Sequence, residues 1–539
     1  MTPILNPILR GFNPDPSIVR VGADYYVATS TFEWYPGVQI HHSRDLKNWR
    51  LVTRPLRRAS QLDMRGNPDS CGVWAPDISH AGGRFHLIYT DVKRYGRTTQ
   101  RDRSEVSLRD FHNYWVWSDT IDGDWSDPVH LNSSGFDPAL FHDDDGRSWL
   151  LNMLWDHRPG HRRFGGIVIQ EMDLRTGRLI GERRKIFDGS DLGFTEGPHL
   201  YKRDGWYHML VAEGGTGRGH AVVMARSRSL FGPYDLHPDG PVLTARDSPT
   251  SVLTRAGHGD VVETPEGDPW MVYLCGRPLP VADCCILGRE TAIQPMRWCD
   301  DGWLRTVDGS GAPVEAIGDQ AKDREPCPPV DDREDFDADV LPPVFQWLRT
   351  PFPEQIFSVA QRPGHLRLFG RESVGSQFTQ SLVARRQGEW RFTAETVMDF
   401  TPNSFQQSAG LIHYYNSTKF HYLHVTTDDH GSPILQVLSV LPDESRASAC
   451  TAPIAIGVGP IHLRLDVDHA AMRFFYRMAT DDAWTAVPGD FDASILSDEA
   501  TLPYLPNFTG AFVGVACQDM AGQGIVADFD YFHYAERVG

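Results

Sequence analysis

One short pattern recurs five times in the first half of this chain, and a repeat of that period leaves few folds open. The copies are NPDPSIVRVGADYYVATS, APDISHAGGRFHLIYTD, FDPALFHDDDGRSWLLNM, EGPHLYKRDGWYHMLVAEGG and GHGDVVETPEGDPWMVYLCG. Counted at Asp15, Asp77, Asp137, Glu196 and His258, successive spacings are 62, 60, 59 and 62 residues. Each copy reads as a β-hairpin, because strand-like residues flank a short Gly or Asp turn, as in Val21 to Tyr26 and Lys202 to Trp206. About sixty residues hold two hairpins, which is one four-stranded propeller blade. Five copies therefore predict a five-bladed β-propeller over residues 1–316, with the five marked residues at equivalent places on the innermost strands. That arrangement gathers three acids and a histidine, plus Asp77, around one axis. Asp beside Pro is also ordinary turn chemistry. A Glu replacing Asp in EGPH, and a His replacing both, point instead to positions that each need their own chemistry.

The chain has 539 residues, more than one ordinary domain. From Glu315 the stretch EAIGDQAKDREPCPPVDDRED is polar, charged and Pro-rich, so residues 317–335 read as a linker. Beyond it strands alternate strictly: Ile461, Leu463, Leu465 and Val467 against His462, Arg464, Asp466 and Asp468. Residues 336–539 are accordingly expected to form an antiparallel β-sandwich of lectin-like, jelly-roll type, making the chain all-β. The balance of 52 Lys and Arg against 71 Asp and Glu, a formal −19, argues against a nucleic-acid partner or an anionic membrane surface. No stretch has the apolar length to span a bilayer, and the opening MTPILNPILRGFNPDPS lacks the basic start and apolar run of a secretion signal. The eight cysteines form no CxxC pairs, which predicts reduced thiols and a cytoplasmic protein.

Paired carboxylates in a pocket bordered by aromatics suit glycoside hydrolysis: one protonated to help the leaving oxygen, the other ionised to activate water or attack carbon. A third carboxylate can hold the acid's pKa up. Phe32, Trp34, Trp74 and Trp155 stand near the repeat acids, and flat rings cover the apolar faces of a sugar. Core packing is the plainer use of any single Trp.

On these motifs the chain resembles glycoside hydrolase family 43, in particular its two-domain β-xylosidases: GFNPDPSIVR with YYVATSTFEWYPGVQIHHSRDL, GVWAPDIS, FDPALFHD, TEGPHLY, LGRETAIQ, and late in the chain FTGAFVG with ADFDYFHY. The resemblance implies an inverting, exo-acting enzyme that releases xylose from the non-reducing end of β-1,4-xylo-oligosaccharides. It implies Asp15 as general base, Glu196 as general acid, and Asp137 as the residue that orients the acid and raises its pKa. It further implies a substrate-binding Arg289, a pocket lined by Phe32, Trp74, Ala75 and Thr216, and a Phe508 that closes it from the second domain. His258 resembles an axial histidine beneath the terminal sugar, which in some relatives touches calcium through water. Calcium prefers oxygen ligands, so the resemblance leaves a water-mediated calcium at His258 open, no metal is committed, and no cofactor is expected to be required. Asp77 is expected to be structural. The segments RYGRTTQRDRSEVSLRDFHNYWVW and WDHRPGHRRFGG read as rim loops, and CGRPLPVADCCILG is short with adjacent Cys284 and Cys285. Relatives of this size imply a homodimer or homotetramer. An α-L-arabinofuranosidase, or one enzyme with both activities, is the nearest alternative, and a non-catalytic sugar-binding propeller a more distant one.

Overall fold

The computed structural model describes residues 4–95, 108–280, 282–318, 330–442, 449–500 and 507–537. Among them the chain is strands and turns, with two three-residue 3-10 turns and no α-helix. No helix is long and apolar enough to cross a membrane. Five antiparallel sheets follow one another, opening with Ser17–Val21, Gly72–Ala81, Ala139–His142, Glu196–Arg203 and Thr254–Glu263. Each opening strand contacts those of the neighbouring sheets, and the fifth returns to the first, so the sheets close into a five-bladed propeller. The N-terminal segment seals the ring. Ile4–Leu5 pairs with Ala316–Ile317, Leu9 and Thr291 exchange backbone hydrogen bonds, and the Asn13 N–H donates to the Arg289 carbonyl at 2.9 Å. Closure thus brings Asp15 beside Arg289, far apart in sequence.

The backbone corrects the repeat register in two blades. Left-handed φ angles occur at Asp15 (54°), Ala75 (30°), Asp137 (53°), Gly197 (56°) and His258 (46°). Their spacings are 60, 62, 60 and 61 residues, tighter than those counted from the acids alone. Strand pairing slips at the same places, between Trp74 and Asp77, Glu196 and His199, and Gly257 and Gly259. Such a bulge re-aims the side chain it carries, and a non-Gly residue held there costs about 1–3 kcal/mol, a strain concentrated at functional sites. Ala75, not Asp77, is therefore the second blade's counterpart of Asp15, and Glu196 stands one residue ahead of its blade's bulge. The cue in the sequence is the dipeptide rather than the acid: Asp15-Pro16, Ala75-Pro76, Asp137-Pro138, Gly197-Pro198 and His258-Gly259.

Among the described residues the second half is a sandwich of two antiparallel sheets, one of nine strands and one of eight that takes its ninth from the first half. Ile461, Leu463, Leu465 and Val467 all point into its core, as their alternation predicts, each worth about 1.5–3 kcal/mol on burial. Of the stretch read as linker, residues 319–329 lie outside the described residues. Asp331–Glu334 is not linker but an edge strand on Val526–Glu536. Its side chains are exposed or half-buried, so backbone pairing makes the strand while the composition stays polar. The other sheet runs on into the propeller, because Gln346–Leu348 pairs with Trp34–Tyr35 from the first blade. There Trp34, fully buried, stacks on Phe512 at 3.7 Å between ring centres. Part of the first expected rim loop, residues 96–107, lies outside the described residues. Its end, Asp110–Ser118, is a blade strand, and 155–166 is a hairpin turn between Ser148–Trp155 and Phe164–Asp173.

Candidate active site

At the bulge end of the axis lies a cavity of about 240 Å³. Nine of the expected residues line it: Asp15, Asp137, Glu196, Arg289, His258, Thr216, Phe32, Trp74 and Phe508. Ala75 and Trp155 do not. The Ala75 N–H donates to Ser30 Oγ at 2.7 Å, and that hydroxyl donates to Asp15 Oδ2 at 2.8 Å, so Ala75 braces Asp15 from behind. Trp155 stands in a second layer, packed edge-on to Phe164 with ring centres 5.8 Å apart. Strand pairing slips by one residue between Met153 and Trp155.

Arg289 ties the two domains together at Asp15. Its Nη1 lies 3.1 Å from Asp15 Oδ1, its Nη2 donates to the Phe508 carbonyl at 2.8 Å, and both side chains of the pair are under 10 % exposed. Its guanidinium sits 5.3 and 5.7 Å from the Phe32 and Phe508 ring centres. Phe508 is held from the other side as well, since its N–H donates to Ser70 Oγ at 3.1 Å. The Ser70 carbonyl accepts from Trp74 Nε1 at 3.0 Å. The sandwich thus supplies one wall of the cavity, fixed to the propeller by two hydrogen bonds at Phe508.

Glu196 and Asp137 are buried on neighbouring blades. Burial first, then the Asp137 carboxylate, then Asp15, hold the Glu196 carboxyl well above the usual range. Burial and Asp15 push Asp137 the same way, against the Gly197 N–H that donates to it. The His258 imidazole is neutral, pushed down to about 4 by burial despite Asp15. Gly197 is required beside it, because a Cβ there would come within 2.8 Å of His258 Cε1. The site therefore pairs an acidic side chain held by a guanidinium with a carboxyl whose pKa is raised, in a largely apolar cup.

Residues 4–304 match the profile for glycosyl hydrolases family 43, and residues 333–535 that for the beta xylosidase C-terminal concanavalin A-like domain. The chain belongs to glycosyl hydrolase family 43. Among relatives of this family 43 chain, "Xylosidase/arabinosidase 43B" of Humicola insolens is 50 % identical over 99 % of this chain and 98 % of its own. "Beta-xylosidase" of Bacillus subtilis (strain 168) is 46 % identical over 99 % of this chain and 100 % of its own. The crystal structure of xylan beta-1,4-xylosidase from Bacillus halodurans C-125 superposes with a TM-score of 0.92 at 46 % identity, covering 99 % and 100 %.

Two residues below the bulge ring, the family 43 propeller carries an axial plug. Asp77, His199 and Asp260 bring ligand-type atoms within 4.8 Å of one another, all buried. Their oxygens are already engaged: Leu140 N–H donates to Asp77, Ile18 N–H, Val261 N–H and Tyr201 Oη donate to Asp260, and the single Ser17 hydroxyl lies within hydrogen-bond distance of both. Burial opposes a charge on His199, but Asp260 and Asp77 outweigh it and raise its pKa to about 9. A cation thus already stands between the two carboxylates. Between this plug and His258 the free space is about 10 Å³, room for one water rather than a hydrated ion. The donor set does not fit calcium, which takes six to eight oxygens. Asp77 has the structural task expected of it, joining blades one, two and three.

Six lining residues of the family 43 pocket escaped the sequence reading: Tyr95, Phe136, Phe164, Phe194, Gly215 and His220. Two carried a signal, since Phe136 directly precedes Asp137 and Phe194 comes two residues before Glu196. Gly215 adjoins Thr216, and Tyr95 lies just past a strand end. Nothing in the local pattern marks Phe164 or His220.

Proposed function

We propose that this chain is an exo-acting, inverting β-1,4-xylosidase releasing xylose from the non-reducing end of xylo-oligosaccharides. The carrying observation is a cavity of one-sugar size that brings together Glu196, whose pKa is raised by burial and Asp137, and an Arg289-paired Asp15. At about 240 Å³ it falls below the roughly 300–1,000 Å³ of sites for larger ligands, which favours one terminal residue over a chain threaded through. Asp15 acts as base on a water and Glu196 as acid on the glycosidic oxygen. As the water oxygen bonds to the anomeric carbon, its proton passes to Asp15; the C–O bond to the leaving sugar breaks, and Glu196 protonates that oxygen. Asp15 and Glu196 stand on the first and fourth blades, which are not neighbours in the ring, and inversion requires a separation of roughly 6.5–9.5 Å between the two carboxyls to admit the water. Arg289 and Thr216 hold sugar hydroxyls, while Phe32, Trp74 and Phe508 enclose the ring faces. Free thiols at the seven described cysteines accord with a cytoplasmic setting.

Proton NMR during early hydrolysis of a β-linked xyloside is expected to show α-xylose first, with β-xylose growing only by mutarotation. β-Xylose as the first product would overturn the assignment of Asp15 as base. The Humicola relative's name joins two activities, so a bifunctional enzyme is the second reading. Comparing kcat/KM on 4-nitrophenyl β-xylopyranoside and α-L-arabinofuranoside separates them.

Asp137 is assigned to keep Glu196 protonated. The profile of kcat/KM should lose activity as pH rises through the Glu196 pKa, which burial and Asp137 both raise. Asp137→Asn removes one raising influence, so the alkaline limb moves to lower pH. An unmoved limb would take Asp137 out of this role.

A further inference from the structure

Between the first blade and the sandwich lies a second cavity of about 480 Å³, larger than the catalytic one. Its wall carries four guanidiniums, Arg10, Arg54, Arg385 and Arg386, against one carboxylate, Glu536. That carboxylate is engaged, by Arg10 at 3.0 Å and by the Val330 N–H at 3.0 Å. Arg10 also pairs with Glu389 at 2.9 Å, and Arg385 with Asp332 at 2.6 Å.

Arg54 and Arg386 differ from these two. Arg54 donates to the Pro343 carbonyl and to Gln39 Oε1, and Arg386 to the Phe12 carbonyl and to Gln346 Oε1. All four acceptors are neutral. Neither guanidinium forms an ion pair among the described residues. Arg54 Nε, Arg386 Nη2, Arg385 Nε and His41 Nδ1 are buried atoms with no hydrogen-bond partner among those residues. Both side chains are half-buried, with those atoms shielded from solvent, and two guanidiniums that face one another without a shared anion repel. Burial alone pushes Arg54 down to about 9, while burial first and then the neighbouring Arg54 push Arg386 well down. Burial, then Arg386 and Arg54, lower His41 to about 3, so the ring stays neutral.

We propose that this cleft binds a small oxyanion, a phosphate or carboxylate group gripped by Arg54 and Arg386, with His41 Nδ1 and Arg385 Nε completing the cradle. A planar guanidinium presents paired N–H donors that match either group. The volume admits a bare ion or an acidic sugar. Occupancy braces the junction that sets Asp15: Gln39, held by Arg54, donates to Asn13 Oδ1 at 2.7 Å, and Arg386 holds the Phe12 carbonyl. Asn13 lies two residues before Asp15.

The test is calorimetric titration of the full chain at pH 7 with inorganic phosphate and, separately, with glucuronate, each against sodium chloride at matched ionic strength. Saturable one-to-one binding of either anion is expected, with a Tm that rises to a plateau as the site fills. Phosphate alone binding marks a free-ion site; glucuronate binding in competition with phosphate marks an acidic-sugar site. Arg54→Gln and Arg386→Gln should each weaken binding about tenfold or more, the loss expected for a hydrogen bond to a charged group. If Arg386→Gln does not fold, Arg54→Gln decides. Heats no larger than chloride for both anions, or undiminished affinity in Arg54→Gln, overturn the proposal.

Discussion

Replacing Glu196 by Gln is expected to slow hydrolysis of xylobiose by about 10²–10⁴-fold, the usual contribution of a positioned general acid. The leaving xylose oxygen is a poor leaving group and needs the proton at the moment the C–O bond breaks. A 4-nitrophenolate leaves without one, so the same variant should lose much less on 4-nitrophenyl β-xylopyranoside. The difference between the two substrates is the diagnostic reading; equal losses would make Glu196 a structural or binding residue. Stability should move the other way. A carboxyl whose folded pKa lies above its unfolded value near 4.5 is destabilising at neutral pH, because the unfolded chain releases a proton that the folded one must keep. The penalty is absent below about pH 4, grows as pH rises toward the folded pKa, and then levels off. Gln has no proton to release. Glu196→Gln should therefore raise Tm at pH 7, a gain that disappears at pH 4. A Tm equal to wild type at both values would contradict the burial argument on which the acid assignment rests.

How much of this was legible in the sequence follows from the physics of each signal. A period of sixty residues is imposed by the blade itself, so five blades and their order could be read without any contact. The strict alternation of Ile461 to Asp468 likewise follows from two faces of one strand. The register of the repeat could not be read from acids, because the feature that recurs is a backbone conformation. Its marks are Asp15, Ala75, Asp137, Gly197 and His258, and only three of those have chemistry to notice. Ala75 was expected at the sugar and instead props Asp15 through Ser30, a backbone contact that no side-chain pattern announces. Trp155 fails for a related reason: strand pairing slips by one residue beside it, and its ring stands in the second layer, where packing uses it as fully as a ligand would. Asp331–Glu334 looks like linker because an edge strand needs only its backbone. Across the domain boundary the sequence is silent. That Gln346–Leu348 extends a sheet onto Trp34–Tyr35, and so fixes where Phe508 stands, is decided by pairing between segments about three hundred residues apart.

That cross-domain geometry converges on Arg289, and Arg289→Ala should be the most damaging single change to the fold near the site. The Asp15–Arg289 pair is under 10 % exposed on both sides. Removing the cation leaves a buried carboxylate with only the Ser30 hydroxyl, at a cost of about 3–5 kcal/mol for a broken buried pair. It also frees the Phe508 carbonyl, loosening the wall that the sandwich contributes. kcat/KM is expected to fall by about 10²-fold or more, since small misplacements of positioning groups cost that much. Arg289→Lys should not restore activity, because a single ammonium cannot reach Asp15 and the Phe508 carbonyl with two fixed prongs. Urea denaturation of Arg289→Ala, Asp15→Asn and the double variant separates charge from packing. If the uncompensated carboxylate is the cause, Asp15→Asn added to Arg289→Ala recovers part of the lost stability while activity stays absent, a strongly non-additive cycle. If the double variant is instead as unstable as the sum of the singles, the damage lies in the lost contacts to Phe508 and Phe32, and Arg289 holds the domains together more than it balances Asp15.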